Sequence, residues 1–233
     1  MIDYLKMIDE RHSVRSYKPM PIEPDKAVLI NEEIARLNAE SGLNIQLLEN
    51  RKAVGKGLAA LFAGWKNTPP AVITLAGKPD SDTDGGDVDS EEGCMDLEEK
   101  CGYYGEKLVL YLQALGLNTC WVGMFNKKHT KPNLAADEKL IVTIAVGYGE
   151  NQGKEHKSKP IAKVTDVKDM PDWFARGVDA ALKAPTAINQ QKFFISLEGD
   201  EPTVWISGLG PFVKVDLGIV KCHFEIATGR KVL

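Results

Sequence analysis

Two short segments, near opposite ends of the chain, carry the residues best able to do chemistry. Residues 11–17, RHSVRSY, place Arg11, Ser13 and Arg15 at alternate positions, with His12 beside them. Two guanidiniums flanking a hydroxyl make a phosphate cradle, because each guanidinium is a rigid fork of donors. Residues 184–194, APTAINQQKFF, place Thr186, Asn189 and Gln191 just after a proline. Neutral amides and a hydroxyl suit an uncharged, hydrogen-bonding heterocycle or a polyol. Neither segment offers an obvious nucleophile. A phosphate holder and a polar clamp without one point to a nucleotide-like cofactor that does the chemistry itself.

Plainer readings stand beside these. Arg11 and Arg15 could form surface ion pairs with Asp9, Glu10 or the acidic loop. Asn189 and Gln191 could satisfy backbone groups at a turn. His129, His156 and His223 lack metal-ligand spacing, and His223, beside Phe224 on an apolar helix, reads as a hydrogen-bonded core histidine. Asp80, Asp82, Asp84, Gly85 and Glu91 match the calcium pattern D-x-D-x-D-G-x5-E. A strand and Pro79 precede it where a helix belongs, and Asp87 stands where an apolar residue belongs, so it reads as a solvated loop. Gly208 and Gly210, in SGLGPF, lack the third glycine of a dinucleotide fingerprint and read as a loop.

The elements that must position these residues follow from hydrophobic period. Residues 1–10 read as a short helix. Residues 23–38 carry Ala27, Ile30, Ile34 and Leu37 at helical spacing. Residues 43–48 alternate like a strand, and 70–76, PAVITLA, read as a buried one. Residues 97–115 form the longest helical candidate, stopped by Gly116. Residues 117–124 read as a turn or loop, 140–148 as a central strand, and 149–159 as a basic connector. Residues 171–183 read as a helix, 193–197 and 203–206 as paired strands, and 215–228 as a last helix. This mixture predicts an α+β fold, a central mixed or antiparallel sheet flanked by helices.

The whole chain, 1–233, reads as a single domain, and 233 residues suffice for a substantial core. One internal echo admits a division into half-domains 1–150 and 165–233. AESGLNIQLL at 39–48 aligns with APTAINQQKF at 184–193, matching Asn44 to Asn189 and Gln46 to Gln191. A pseudo-twofold repeat would explain it.

Composition narrows the function classes. The net charge of −4 argues against a broad nucleic-acid surface. No stretch approaches the roughly 20 apolar residues of a membrane span. The four cysteines, Cys94, Cys101, Cys120 and Cys222, show no CxxC spacing, so neither a zinc site nor a dithiol motif is expected. Reduced thiols and a cytoplasmic location are the expectation.

Four blocks together resemble the FMN-dependent nitroreductase family, in its branch with the polar clamp late in the chain. RHSVR resembles the family's opening R-[RH]-S-x-R. APTAINQQ resembles A-P-[ST]-x-x-N-x-Q-P, with Lys192 in place of the usual proline. ALGLNTCWVG, at 114–123, resembles A-x-G-L-x-[ST]-x-W-x-G, and AVGYGE followed by HKSKP resembles a strand and basic tail. The order is permuted relative to the common members, which puts their dimer-shared site in question.

The resemblance implies a nitroreductase-like fold and roles for particular residues. Arg11, Ser13 and Arg15, with His12 beside them, would hold the FMN phosphate and ribityl chain, and Lys157 or Lys159 would add a charge. Thr186, Asn189 and Gln191 would line the polar edge of the flavin. The backbone at Trp121, Val122 and Gly123 would approach its reactive face. No side chain is assigned a catalytic role and no metal is expected. NAD(P)H would be a transient donor, and nitroaromatics, quinones or similar acceptors would be reduced in ping-pong fashion. A flavin-dependent dehalogenase or flavin-fragmenting enzyme, with residues 52–65 as the only candidate lid, is the alternative enzyme. A non-catalytic flavin-binding module and a cofactor-free structural protein are the alternatives of other classes. Both a monomer with an internal pseudo-dimer and a homodimer are compatible with the motifs.

Overall fold

A computed structural model of the chain describes residues 2–49, 65, 67–79, 95–126 and 128–232. The acidic stretch 80–91 lies outside the described residues, as does the candidate lid except for Trp65. Five α-helices occur among the described residues: α1 (Tyr4–Glu10), α2 (Pro24–Ser41), α3 (Leu97–Ala114), α4 (Asp172–Leu182) and α5 (Val213–Thr228). The strands are β1 (Asn44–Leu48), β2 (Ala71–Gly77), β3 (Asn118–Val122), β4 (Lys139–Gly147), β5 (Phe193–Glu198) and β6 (Glu201–Ile206). The expected α+β class is what the chain adopts.

The larger sheet has the order β1-β2-β4-β3, with every neighbour antiparallel. β2 is buried along its whole length, which its apolar, β-branched run requires of an interior strand. β5 and β6 pair separately as an antiparallel hairpin. Helix ends follow local chemistry. Asp3 and Asp96 accept backbone N–H groups at the starts of α1 and α3, and Gly42 and Gly229 close α2 and α5 in the left-handed region.

One element departs from the sequence reading. Residues 117–124, read as a turn or loop, contain β3. The six residues between Gly116 and Gly123 carry too short a pattern to announce a strand. Pairing with β4, which is remote in sequence, decides it.

The centre of the molecule is the packing of α3 against α5. A Cβ at Gly102 would lie 2.0 Å from the Val215 carbonyl oxygen, and one at Gly218 would lie 2.0 Å from the Glu99 carbonyl oxygen. The contact is reciprocal, since each glycine meets the residue three before the other. Helix backbones can approach this closely only where both faces lack a Cβ. Among the described residues, each central helix also follows a helix and an antiparallel strand pair, α2, β1 and β2 before α3, and α4, β5 and β6 before α5.

Residues 13–18 run along the free edge of the larger sheet. Ser13 forms a parallel bridge with Thr119, and the Val14 N–H donates to the Thr119 carbonyl at 3.0 Å. Further on, Tyr17 bridges Gly149, and Lys18 N–H reaches the Tyr148 carbonyl at 2.7 Å. Val14 and Tyr17 are buried while Arg15 is exposed, so the extended segment anchors one face and offers the other.

Candidate functional site

The two chemical segments meet at a cavity of about 480 Å³. From the first come Arg11, His12, Ser13, Arg15 and Ser16. From the last come Pro185, Thr186, Ile188 and Asn189. The connector after β4 adds Asn151, Gly153, Lys154 and His156. Three of these are permanent cations, and no carboxylate stands among the described lining residues. Such a lining attracts an anionic ligand. A second cavity of about 270 Å³ shares Arg11, His12 and His156 with the first.

Arg11 is the floor of the site. It is 3% exposed, and its Nε has no hydrogen-bond partner among the described residues. Burial pulls its pKa down from the ordinary guanidinium value, and the Glu106 carboxylate, 3.7 Å away, pulls it back up. The side chain remains protonated at any ordinary pH. His12 is pushed below its usual range, first by burial and then by the Arg11 charge. His156 Nε2 lies 2.9 Å from the Leu182 carbonyl, so that nitrogen carries its hydrogen. Ser16 donates to Glu150, whose other oxygen accepts from Asn67. Gly153 sits at φ 77°, and a Cβ there would lie 2.7 Å from the His12 Cβ. Only glycine lets the connector pass so close to the arginine segment.

The 186–191 turn is held under strain. Ile188, Asn189 and Gln191 all have positive φ, at 48°, 55° and 45°. For β-branched Ile188 this is costly, yet its side chain is 86% exposed at the cavity. Hydrogen bonds over-determine the turn. Asn189 Nδ2 and Gln191 Nε2 both donate to the Lys157 carbonyl at 2.9 Å, and Gln191 Nε2 also donates to Asn189 Oδ1 at 2.8 Å. Gln191 Oε1 accepts from Lys159 N–H at 2.8 Å. From α5, Asp216 accepts from Ala187 N–H at 2.9 Å and from Gln190 Nε2 at 2.6 Å. Burial raises the Asp216 pKa to about 6 despite these two donors.

The same amide bracket occurs once more. Asn44 Nδ2 and Gln46 Nε2 both donate to the Asn133 carbonyl, at 2.9 and 2.7 Å, and Gln46 Nε2 donates to Asn44 Oδ1 at 2.7 Å. Gln46 Oε1 accepts from Asn133 N–H at 2.9 Å. The residues aligned by the sequence echo therefore make matching contacts, on backbones of different shape.

The structure brings together Arg11, His12, Ser13, Arg15, Thr186 and Asn189 and leaves other expected residues elsewhere. Gln191 is 2% exposed, and its amide is spent inside the turn. Lys157 contributes its carbonyl to the turn, and Lys159 Nζ bonds the Gln191 carbonyl at 2.7 Å. Lys154 is the connector's lysine at the cavity. Trp121, Val122 and Gly123 do not line it. Trp121 Nε1 donates to Glu106 Oε2 at 2.8 Å, and a Cβ at Gly123 would lie 2.4 Å from the Phe212 ring. The backbone approach made at Gly123 is to that ring.

A protein-family comparison settles the kinship. The family described as "Putative TM nitroreductase" matches residues 3–86 and 88–228. The chain belongs to this family. No curated protein matches the sequence significantly. Among solved structures, a "putative nitroreductase" from Thermotoga maritima is 20% identical, with a TM-score of 0.63 over 97% of this chain and 83% of that one. A nitroreductase family protein from Streptococcus pneumoniae is 15% identical, with a TM-score of 0.52 over 71% of this chain and all of that one. One from Exiguobacterium sibiricum, solved in complex with FMN, is 16% identical, with a TM-score of 0.51 over 72% of this chain and 98% of that one. The nitroreductase fold is thus shared.

Several members of this site carried no readable signal. Asn151, Gly153 and Lys154 are common residue types at no special spacing, while Ser16 and His156 lie inside the RHSVRSY and HKSKP blocks without standing out there. Glu106 carried none either: α3 also holds Glu98 and Glu99, Lys107 follows it directly, and only its burial sets it apart.

Proposed function

We propose that this nitroreductase-family chain is a flavin oxidoreductase that binds FMN in the cavity between the arginine segment and the 186–191 turn. The reading rests on one observation above all: the two segments picked out by their chemistry line one cavity, with cations at Arg11, Arg15 and Lys154 and no described carboxylate. The cavity volume falls within the roughly 300–1,000 Å³ usual for cofactor sites. Arg11 is a buried cation at the cavity whose Nε side faces Glu106 at 3.7 Å. These residues fit a phosphate-bearing ligand.

When bound, FMN would supply two-electron chemistry, drawing on NAD(P)H and serving a nitroaromatic, quinone or similar acceptor in ping-pong fashion. The chain's own part is to bind and orient. Arg11, Arg15 and Lys154 would hold the phosphate, with Ser13 and Ser16 as neutral donors beside them. Thr186 and Asn189 would face the polar part of the ligand, and exposed Ile188 would offer it an apolar surface. His12 and His156 are the titratable groups at hand for moving a proton.

The matching amide brackets, the reciprocal glycines and, among the described residues, the helix and antiparallel strand pair before each central helix support two half-domains related by a pseudo-twofold axis. On this reading one chain completes the site and the protein works as a monomer. Light scattering after size-exclusion chromatography tests it, and a dimer would oppose it. Buried, unbridged Cys101, Cys120 and Cys222 support a reducing, cytoplasmic setting.

The visible spectrum of the purified protein tests the function, before and after anaerobic NAD(P)H. Flavin bands that bleach with NADH or NADPH support the proposal. A protein that stays colourless after incubation with FMN refutes it, and bands that never bleach make the chain a binding module instead.

A further inference from the structure

Behind Arg11, at the crossing of α3 and α5, lies a row of buried ionisable groups. Glu106 and His223 are each 0% exposed. Glu106 Oε1 lies 2.9 Å from His223 Nε2 and 3.7 Å from Arg11 Nε, while Oε2 accepts from Trp121 Nε1. The other imidazole nitrogen, Nδ1, lies 3.0 Å from the Ala180 carbonyl oxygen.

We infer that Glu106 and His223 form a buried ion pair that leaves the charge of Arg11 free for a ligand, making both of them positioning residues of the site. The inference rests on the reading of Arg11 as an anion holder. A carbonyl oxygen only accepts, so Nδ1 carries a hydrogen. A neutral ring would then turn the lone pair of Nε2 against the Glu106 carboxylate, and 2.9 Å leaves no room for a water between them. One proton must therefore lie between Nε2 and Oε1. The geometry places it on the ring, since Glu106 Oε2 already accepts from Trp121 Nε1 and Oε1 faces the Arg11 guanidinium, so both oxygens are used as acceptors. The other titratable groups near the row alter little. The Cys120 and Cys222 thiols are pushed up by burial and stay uncharged. Lys107 is held outward by Glu40, over the Tyr103 and Tyr104 rings.

The row thus reads cation, anion, cation. Without the imidazolium, Glu106 would compensate Arg11 and the cavity floor would be neutral. With it, one net positive charge remains, and Arg11 is the member of the row that reaches the cavity.

The test uses the full chain and FMN as probe. His223→Gln keeps an amide N–H for Glu106 but removes the charge, and FMN affinity should fall about tenfold. Adding Glu106→Gln removes the carboxylate as well, and affinity should return to within about threefold of the wild type. A double variant that binds more weakly than His223→Gln would assign the pair a packing role alone and overturn the inference. Nitrogen-15 NMR of the wild-type protein tests the ion pair even if the variants do not fold. Both His223 ring nitrogens should be protonated at pH 7, and one bearing a lone pair overturns the inference. Failure of the wild type to take up FMN would count against the proposed function, while the NMR result would still judge the ion pair.

Discussion

Replacing Gly102 with alanine should loosen the centre of the molecule and weaken the site with it. The new Cβ would meet the Val215 carbonyl oxygen at 2.0 Å, its carbon at 2.8 Å and its Cα at 3.1 Å. Comfortable contact begins near 3.5 Å, so the helices must part by roughly 1.5 Å. A helical carbonyl cannot swing aside as a side chain can, which places the cost near the top of the about 1–3 kcal/mol for overpacking. Better helix propensity returns about 1 kcal/mol. The net is about 2 kcal/mol, or about 4–8 °C in Tm for a chain of this size. Glu106 lies one turn beyond Gly102 on α3 and His223 lies further along α5, so parting the helices also strains their contact. FMN affinity should fall with Tm. Gly218→Ala should behave alike, because its Cβ would meet the Glu99 carbonyl oxygen at 2.0 Å. The double variant should cost less than the sum, since one separation relieves both clashes. Scanning calorimetry and fluorescence titration with FMN read the two effects. A Gly102→Ala protein as stable as the wild type would refute the argument.

Further expectations concern the cavity and its supports. Arg11→Ala with Arg15→Ala should weaken FMN binding, by about 1.5–3 kcal/mol for a charge-assisted bond at buried Arg11 and by less at exposed Arg15; unchanged affinity in a titration would count against the cradle. Lys154→Ala should lower FMN affinity while Lys157→Ala leaves it nearly unchanged, because only the former's side chain lines the cavity; equal effects would contradict that assignment. Asp216 makes stability depend on pH. Its folded pKa of about 6 exceeds the ordinary 3.8, so the folded state holds the proton more tightly. Its stabilising contribution is full below pH 3.8 and is lost as pH rises through 6, a change of about 3 kcal/mol. Asp216→Asn should flatten that part of the urea-denaturation profile, and an unaltered slope would rule the residue out as the source.

The elements were largely legible because periodicity is local. The run 71–77 announces a buried strand by composition alone, and α2 shows its face through Ile30, Ile34 and Leu37. β3 was not legible, since a five-residue strand at a sheet edge is defined by its pairing with β4. The arginine segment and the 186–191 turn could each be picked out because guanidiniums, amides and a proline stand together there. Which of those groups face the cavity was not readable. Asn189 and Gln191 are two residues apart in a chain that looks extended, yet positive φ at three positions folds Gln191 inward.

What the sequence determined by itself is the inventory: which segments bear charge and amide groups, which are apolar, and which family they resemble. Tertiary structure alone decided their pairing. Glu106 and His223 lie 117 residues apart, and no local rule brings an acid on one helix against an imidazole on another. That meeting depends on Gly102 and Gly218 letting two backbones touch. A residue's type sets what it can do, but burial and the neighbours that packing supplies set its charge and direction.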